Sequence, residues 1–126
     1  MVLADDHHSV VARVRETLGD EFEVIGTAEN GNQALDAVLR LDADVLVVDI
    51  SMPVLNGLEA AKRLQKANCR ARVVFLTIHE DPDFVAAAFA AGASAYVIKS
   101  RITADLIPAI HEALLGNTFV SVPPKM

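Results

Sequence analysis

The chain alternates between short apolar runs and longer stretches with helical spacing. The clearest run is Val45-Leu46-Val47-Val48, which ends in Asp49. Four consecutive apolar residues, three of them valine, predict a strand buried on both faces. The eight residues after Asp49 cannot continue it, because Pro53 lacks a ladder N–H and Asn56-Gly57 signals a turn. Met1-Val2-Leu3-Ala4 is a second such run and stops at Asp5-Asp6. Residues 22–28 (FEVIGTA), 72–77 (RVVFLT) and 94–98 (SAYVI) complete a set of five predicted strands. Between them the apolar period changes to that of a helix. Val10, Val11, Val14 and Leu18 share a stripe over 8–18, with Gly19 as a stop. Ala34, Leu35, Val38 and Leu41 do so over 32–41, after a turn at Asn30-Gly31, and Leu58, Ala61 and Leu64 over 58–67. Asp81-Pro82 reads as a cap followed by proline at the first position of a helix to Ala91, ended by Gly92. Thr103 is placed to cap a last helix to Leu115, closed by Gly116.

Strand and helix thus alternate five times. This predicts an α/β fold with a doubly wound parallel sheet, helices on both faces and right-handed crossovers. All strand C-termini then share one edge, where open α/β sheets bind their ligands. The residues at those ends are Asp5, Asp6, Asp49, Thr77 and Lys99. Singly, each reads as a solvated loop residue. An acid pair, an acid, a hydroxyl and an amine at successive strand ends have no common structural reason to be there.

Composition narrows the setting. The chain has 126 residues, the size of one ordinary domain, and 52% of them are hydrophobic, enough for a real core. A net charge of −6, with no basic run, argues against direct nucleic-acid binding by this chain. No apolar run is long enough to span a bilayer, and no signal-like N-terminus is seen. Cys69 is the single cysteine, so an internal disulfide framework is excluded and a cytoplasmic location fits. Residues 1–116 form the predicted domain; 117–126, with Pro123-Pro124, read as a tail or the start of a linker.

Three carboxylates at one edge repel one another. Two unit charges about 4 Å apart interact by roughly 4 kcal/mol at an effective dielectric near 20. A divalent cation would relieve this, and oxygen-only ligation without a full protein cage suits Mg²⁺. Asp49 is then a usable nucleophile toward phosphorus, giving an aspartyl phosphate. Lys99 would face the phosphoryl oxygens with a point charge and Thr77 with a hydroxyl donor.

With these residues in place, the whole chain resembles the receiver domain of two-component response regulators. The matching features are Asp5-Asp6, Asp49 with Met52-Pro53 and Asn56-Gly57, Thr77 after Phe75-Leu76, and Tyr96 three residues before Lys99. The stretches LADDH, DISMPVLNGLEA, LTIHED and AGASAYVIKS look most like the NarL/FixJ subfamily, whose receiver precedes a LuxR-type helix-turn-helix. The resemblance implies a flavodoxin-like (βα)5 fold with strand order 2-1-3-4-5. It implies a signalling domain rather than an enzyme acting on an outside substrate, phosphorylated on Asp49 by a sensor histidine kinase and controlling a DNA-binding output domain absent from this chain. Asp6, Asp49 and the carbonyl of Ser51 would bind Mg²⁺, with Asp5 helping through water. Thr77 and Tyr96 would form the switch pair. Thr77 would move toward the phosphoryl group, and Tyr96 would turn from a half-buried position into the space behind it, changing the surface of helix 81–91, the fifth strand and the last helix.

Several features depart from the family pattern. Only four residues precede Asp5, which suggests that a residue or two has been trimmed. Ser100 follows Lys99 where many receivers carry proline, so a cis bond is not expected there. Pro108 falls inside the last helix and predicts a shifted start or a kink. Ile78 is bulky and is expected to slow the access of water to an acyl phosphate. Residues 84–98 carry no charge, so part of Phe84, Val85, Ala88 and Phe89 is expected to face outward, as for a homodimer contact. His7 and His8 are not expected to bind metal, since adjacent residues at a helix start point to different sides. A haloacid-dehalogenase-type phosphatase would need an acid at position 51, where Ser51 stands. A flavodoxin-like cofactor site would be repelled by Asp5-Asp6, and the complete acid–hydroxyl–amine set speaks against an interaction-only receiver.

Overall fold

A computed structural model describes residues 1–121 of the chain. In chain order the elements are β1 (Val2–Ala4), α1 (His8–Leu18), β2 (Gly26–Ala28), α2 (Gly31–Leu41), β3 (Val45–Val48), α3 (Gly57–Lys66), β4 (Arg72–Thr77), α4 (Pro82–Ala90), β5 (Ala95–Ile98), α5 (Ile102–Leu114) and β6 (Phe119–Val120). The strands form one parallel sheet in the order β2-β1-β3-β4-β5-β6. The expected 2-1-3-4-5 arrangement is present, with a sixth short strand added at its edge. Val122-Pro123-Pro124, part of the stretch read as a tail, lies outside the described residues.

The sheet is buried on both faces, which is why its strands are apolar without alternation. Leu46, Val48, Val73, Phe75 and Tyr96 point into a layer shared with Ala34 and Val38 of α2, Ala61 and Leu64 of α3, and Ala88 of α4. Leu3, Val45, Val47, Val74 and Val97 point the other way, onto Val14 and Leu18 of α1 and Leu106, Ala109 and Ile110 of α5. None of the described helices is long and apolar enough to cross a membrane.

Local rules explain most boundaries. Asn30 and Asn56, read as turn residues, are helix caps: their Oδ1 atoms accept from Gln33 N and Glu59 N, each at 2.9 Å. Asp81 caps α4 by accepting from Asp83 N at 2.8 Å, with Pro82 in the first turn. On α4, Ala88 is wholly buried and Phe84, Val85 and Phe89 are half-buried against the core, so the helix exposes less apolar surface than expected.

Three boundaries differ from expectation. β2 is three residues long rather than the predicted seven. Val2 pairs with Gly26, and the ladder between the two strands begins at that pair. Ahead of it the Met1 amine donates to Glu23 O at 2.8 Å, and Phe22 and Val24 pack on the α1–α5 side instead. α5 begins at Ile102 after a 3₁₀ turn over Lys99–Arg101, so Thr103 lies inside the helix and does not cap it. Pro108 sits within the helix on its exposed side, and so does Ala104, whose carbonyl has no N–H to accept from at the proline. Finally, Phe119–Val120 joins the sheet as β6. Ser121 N donates to Tyr96 O at 2.8 Å.

Ser121 is the anchor of that last segment. Its Oγ donates to Asp105 Oδ2 at 2.7 Å and accepts from Ile98 N at 3.2 Å, and Arg101 grips the same carboxylate through Nε (2.7 Å) and Nη2 (3.2 Å). Arg101 holds the Asp105 carboxyl below its ordinary value, against the opposing effect of burial and with help from Ser121. A depressed carboxyl gives stability that is fully present above its unfolded value and lost as pH falls through the folded one. Asp105→Asn is therefore expected to flatten the loss of unfolding free energy below about pH 4. Ser121→Ala, which leaves both the Ile98 N–H and Asp105 short of a partner, is expected to cost about 1–2 kcal/mol at neutral pH in urea unfolding.

Candidate functional site

Parallel pairing puts the strand ends together. Asp5 N donates to Ala28 O and Asp49 N to Ala4 O, both at 3.0 Å, so each acid stands one residue beyond the ladder. Both are buried, at 3% and 4% exposure. The loop after Asp49 is held close by a glycine. Gly57 N donates to Ile50 O at 2.9 Å, and a Cβ on Gly57 would lie 2.1 Å from Asp49 O, so no other residue fits without moving the acceptor loop. Val54 at the tip of that loop has φ +69°, an unfavourable conformation for a β-branched residue.

Lys99 reaches into the acid cluster from the end of β5. Its Nζ donates to Asp49 Oδ2 at 3.0 Å and lies 2.9 Å from Asp5 Oδ2, where the contact is an ion pair without hydrogen-bond alignment. Burial alone would lower the Lys99 pKa, but the two carboxylates outweigh it and hold the ammonium above its ordinary value. Burial pushes the Asp49 carboxyl up and neighbouring Asp5 adds to this, while Lys99 and the Ser51 N–H pull against it. Asp49 Oδ1 accepts from that Ser51 N–H at 3.2 Å.

The cluster fits a hard cation. Among the described residues, one ligand atom each from Asp5, Asp6, His7 and Asp49 lie within 4.8 Å of one another. Asp6 Oδ1 and Asp5 Oδ2 are buried and accept no hydrogen bond. Each has only a contact without hydrogen-bond alignment, Lys99 Nζ 2.9 Å from Asp5 Oδ2 and His7 Nδ1 3.2 Å from Asp6 Oδ1, so both oxygens keep lone pairs that fit a cation. His7, expected beside the acids but not as a metal ligand, has its Nδ1 3.0 Å from Asp5 Oδ1 and 3.2 Å from Asp6 Oδ1. It stands before α1, where the extended backbone at its position turns the ring back toward the acids rather than along the helix.

Thr77 and Tyr96 lie behind the acids. Thr77 is fully buried, and its Oγ1 accepts from His79 N at 3.2 Å, which leaves the hydroxyl proton for another acceptor. Tyr96 is 1% exposed, and its hydroxyl donates to His79 O at 2.7 Å. Burial, with Asp81 and Asp49 nearby, pushes the phenol up to about 12. Ile78 is 71% exposed. The Nε2 of the adjacent His79 bonds Ser51 Oγ at 3.0 Å, joining the loops after β3 and β4. Its position two residues after Thr77 was the one available signal, and it carries no motif.

Comparison with known proteins identifies the family of the chain. The family described as response regulator receiver domain matches residues 1–111. The uncharacterized transcriptional regulatory protein YvfU of Bacillus subtilis (strain 168) is 35% identical over 96% of this chain and 62% of its own length. The nitrate/nitrite response regulator protein NarL of Escherichia coli (strain K12) is 30% identical over 96% of this chain and 57% of its own. A crystal structure of a two-component response regulator of the LuxR family from Aurantimonas sp. SI85-9A1 superposes with a TM-score of 0.87 at 31% identity, over 94% of this chain and 86% of that one. The chain thus spans about three-fifths of the length of the curated relatives it matches.

The raised Asp49 carboxyl has a measurable consequence. An acid whose folded value is raised favours the fold most at low pH, and that contribution is lost as pH rises through the folded value. In metal-free buffer, Asp49→Asn is expected to raise unfolding free energy at pH 7 by on the order of 1 kcal/mol. The difference is expected to vanish near pH 3, where Asp49 is protonated in both states.

Proposed function

The chain belongs to the response regulator receiver domains, and we propose that it is the phosphorylatable input module of a two-component system with Asp49 as acceptor. One observation supports this above all. Asp49 is buried beside Asp5, carries the Lys99 ammonium at 3.0 Å, and shares one cluster of candidate ligand atoms with Asp5 and Asp6.

In this reading a carboxylate oxygen of Asp49 attacks the phosphorus of a phosphohistidine on a sensor kinase. The new P–O bond forms as the P–N bond breaks, and the electron pair returns to the kinase imidazole. Lys99 exchanges its carboxylate partners for phosphoryl oxygens, so its charge is already in place as the group arrives. Thr77 offers the proton that its bond from His79 N leaves free. Asp6, Asp49 and the Ser51 carbonyl would hold Mg²⁺, with Asp5 behind them; when bound, the ion neutralises the gathered negative charge. His7 Nδ1, a nitrogen engaged with Asp5, is a poor partner for so hard an ion and is better read as a second group orienting the acid.

The output follows from the wiring behind the acceptor. If Thr77 Oγ1 turns toward a phosphoryl oxygen, it lets go of His79 N, and the loop that also receives the Tyr96 hydroxyl shifts. Loop, α4 and β5 then change together. We read the half-buried α4–β5 face as a homodimer contact, and the segment beyond Ser121 as the lead into a helix-turn-helix domain of the kind that LuxR-family regulators carry. The setting proposed is cytoplasmic.

Intact mass after incubation with acetyl phosphate and Mg²⁺ tests the core of this. One phosphoryl adduct is expected in the parent and none in Asp49→Ala. An adduct surviving in that variant would mean that another side chain is the acceptor. Mg²⁺ at ten times its Kd is expected to stabilise the parent by about 1.4 kcal/mol, and Asp6→Ala to abolish most of that gain.

A further inference from the structure

Lys99 is held at both ends. Its ammonium lies between Asp49 and Asp5, at 3.0 and 2.9 Å. Its backbone stands past the last pair of the β4–β5 ladder, Thr77 with Ile98, and opens the 3₁₀ turn over Lys99–Arg101 that leads into α5. Whether the side chain points at the acids depends on that turn.

The residues on either side of the lysine run to one polar pair. Ile98 N, directly before it, donates to Ser121 Oγ at 3.2 Å. Arg101, two residues after it, donates to Asp105 through Nε at 2.7 Å and Nη2 at 3.2 Å. Ser121 Oγ closes the circuit by donating to Asp105 Oδ2 at 2.7 Å. Ile98, Asp105 and Ser121 are all buried, so water is a poor substitute for any partner that is removed. The hydroxyl also displaces a backbone group. Ser121 N donates to Tyr96 O, and a parallel ladder carried one step further would send the Ile98 N–H to the Ser121 carbonyl. That N–H goes to the hydroxyl instead, and the bond that ends the β5–β6 ladder thereby reaches α5 as well. From this we infer that Ser121 and Asp105 are positioning residues for Lys99: they clamp the turn that carries it from before and behind, so that the chain just past β6, at the edge of the sheet, completes the acceptor site.

The inference rests on Lys99 serving Asp49 as acceptor. A positioning role differs from a purely stabilising one in where its effect appears, and Lys99 can be read by itself. Its side chain is 11% exposed, against 51% for Lys62 on α3, so limiting acetic anhydride is expected to acetylate Lys99 slowly and Lys62 fast. Cutting a buried, charge-assisted hydrogen bond is worth roughly a factor of ten in local opening. Ser121→Ala and Asp105→Asn are therefore each expected to speed acetylation of Lys99 by about three- to tenfold and to leave Lys62 unchanged. The double variant is expected to match the larger single effect, because both changes cut one network. Val38→Ala, a core truncation on α2, controls for lost stability and is expected to leave Lys99 as slow as in the parent. Phosphoryl uptake from acetyl phosphate is expected to slow in Ser121→Ala and Asp105→Asn by a similar factor, since the ammonium is no longer held where the phosphoryl oxygens arrive.

Peptide mass spectrometry gives the acetylation rates and intact mass the phosphoryl uptake, at fixed pH and Mg²⁺. Unchanged Lys99 acetylation in Ser121→Ala, an equal rise in Val38→Ala, or parental phosphoryl uptake in a variant whose Lys99 has been freed would each overturn the positioning role. Failure of the underlying reading looks different: the parent takes up no adduct, or the adduct survives Asp49→Ala. Lys99 then serves no acceptor at Asp49, and the inference falls with its premise whatever the acetylation rates are.

Discussion

Two buried carboxylates, Asp5 and Asp49, stand at the end of adjacent strands, and the Lys99 ammonium lies between them at 2.9 and 3.0 Å. Without that cation the sheet edge would hold like charges out of water, an arrangement proteins avoid. The raised Asp49 carboxyl shows that the compensation is incomplete. A site left under this strain takes up a further positive charge readily, and it presents an acceptor whose counter-charge is already in position. The chemistry proposed for the chain begins from that imbalance.

The imbalance depends on register. Ala4 pairs with Val48, so the next residue on each strand, Asp5 and Asp49, meets at the same level. Thr77 pairs with Ile98, which puts Lys99 one step beyond the hydroxyl. Moving any of these strands by one residue would send its functional side chain to the other face of the sheet. The two-sided core fixes the register, since each strand buries alternate residues under different helices. Gly57 then lets α3 start against the backbone of Asp49 itself. Packing and function are therefore set by the same few contacts.

Behind the acceptor the structure separates into two arms. One runs through the β4–α4 loop, where His79 meets Thr77, Tyr96, Ser51 and Phe84. The other runs along β5 to the chain's exit, where Ser121 pairs with Tyr96 through the backbone and with Asp105 through its hydroxyl. Tyr96 belongs to both. Its hydroxyl reaches the loop before α4 and its backbone carbonyl the last strand, so the two arms meet at one residue.

Sequence alone determined the alternation of strands and helices, the family, and the residues at the strand ends. These rest on local signals: apolar period, caps such as Asp81-Pro82, and an acid, hydroxyl or amine directly after an apolar run. Asn30 and Asn56 were legible as boundaries but not as caps, because Asn-Gly suits both a turn and a helix start. The tertiary structure decided the rest. β2 pairs with β1 over only three residues, Gly26 to Ala28, while Phe22 and Val24 pack on the α1–α5 side. His7 reaches the acids through the backbone angle before α1. The Ser51–His79 bond and the Ser121–Asp105 bond join residues 28 and 16 positions apart, and Tyr96 is buried because a loop carbonyl 17 residues earlier meets its hydroxyl. Local periodicity tells which face a residue occupies. Which partner waits there depends on how separate elements are staggered, and that is settled only when the sheet closes its register and the helices pack onto it.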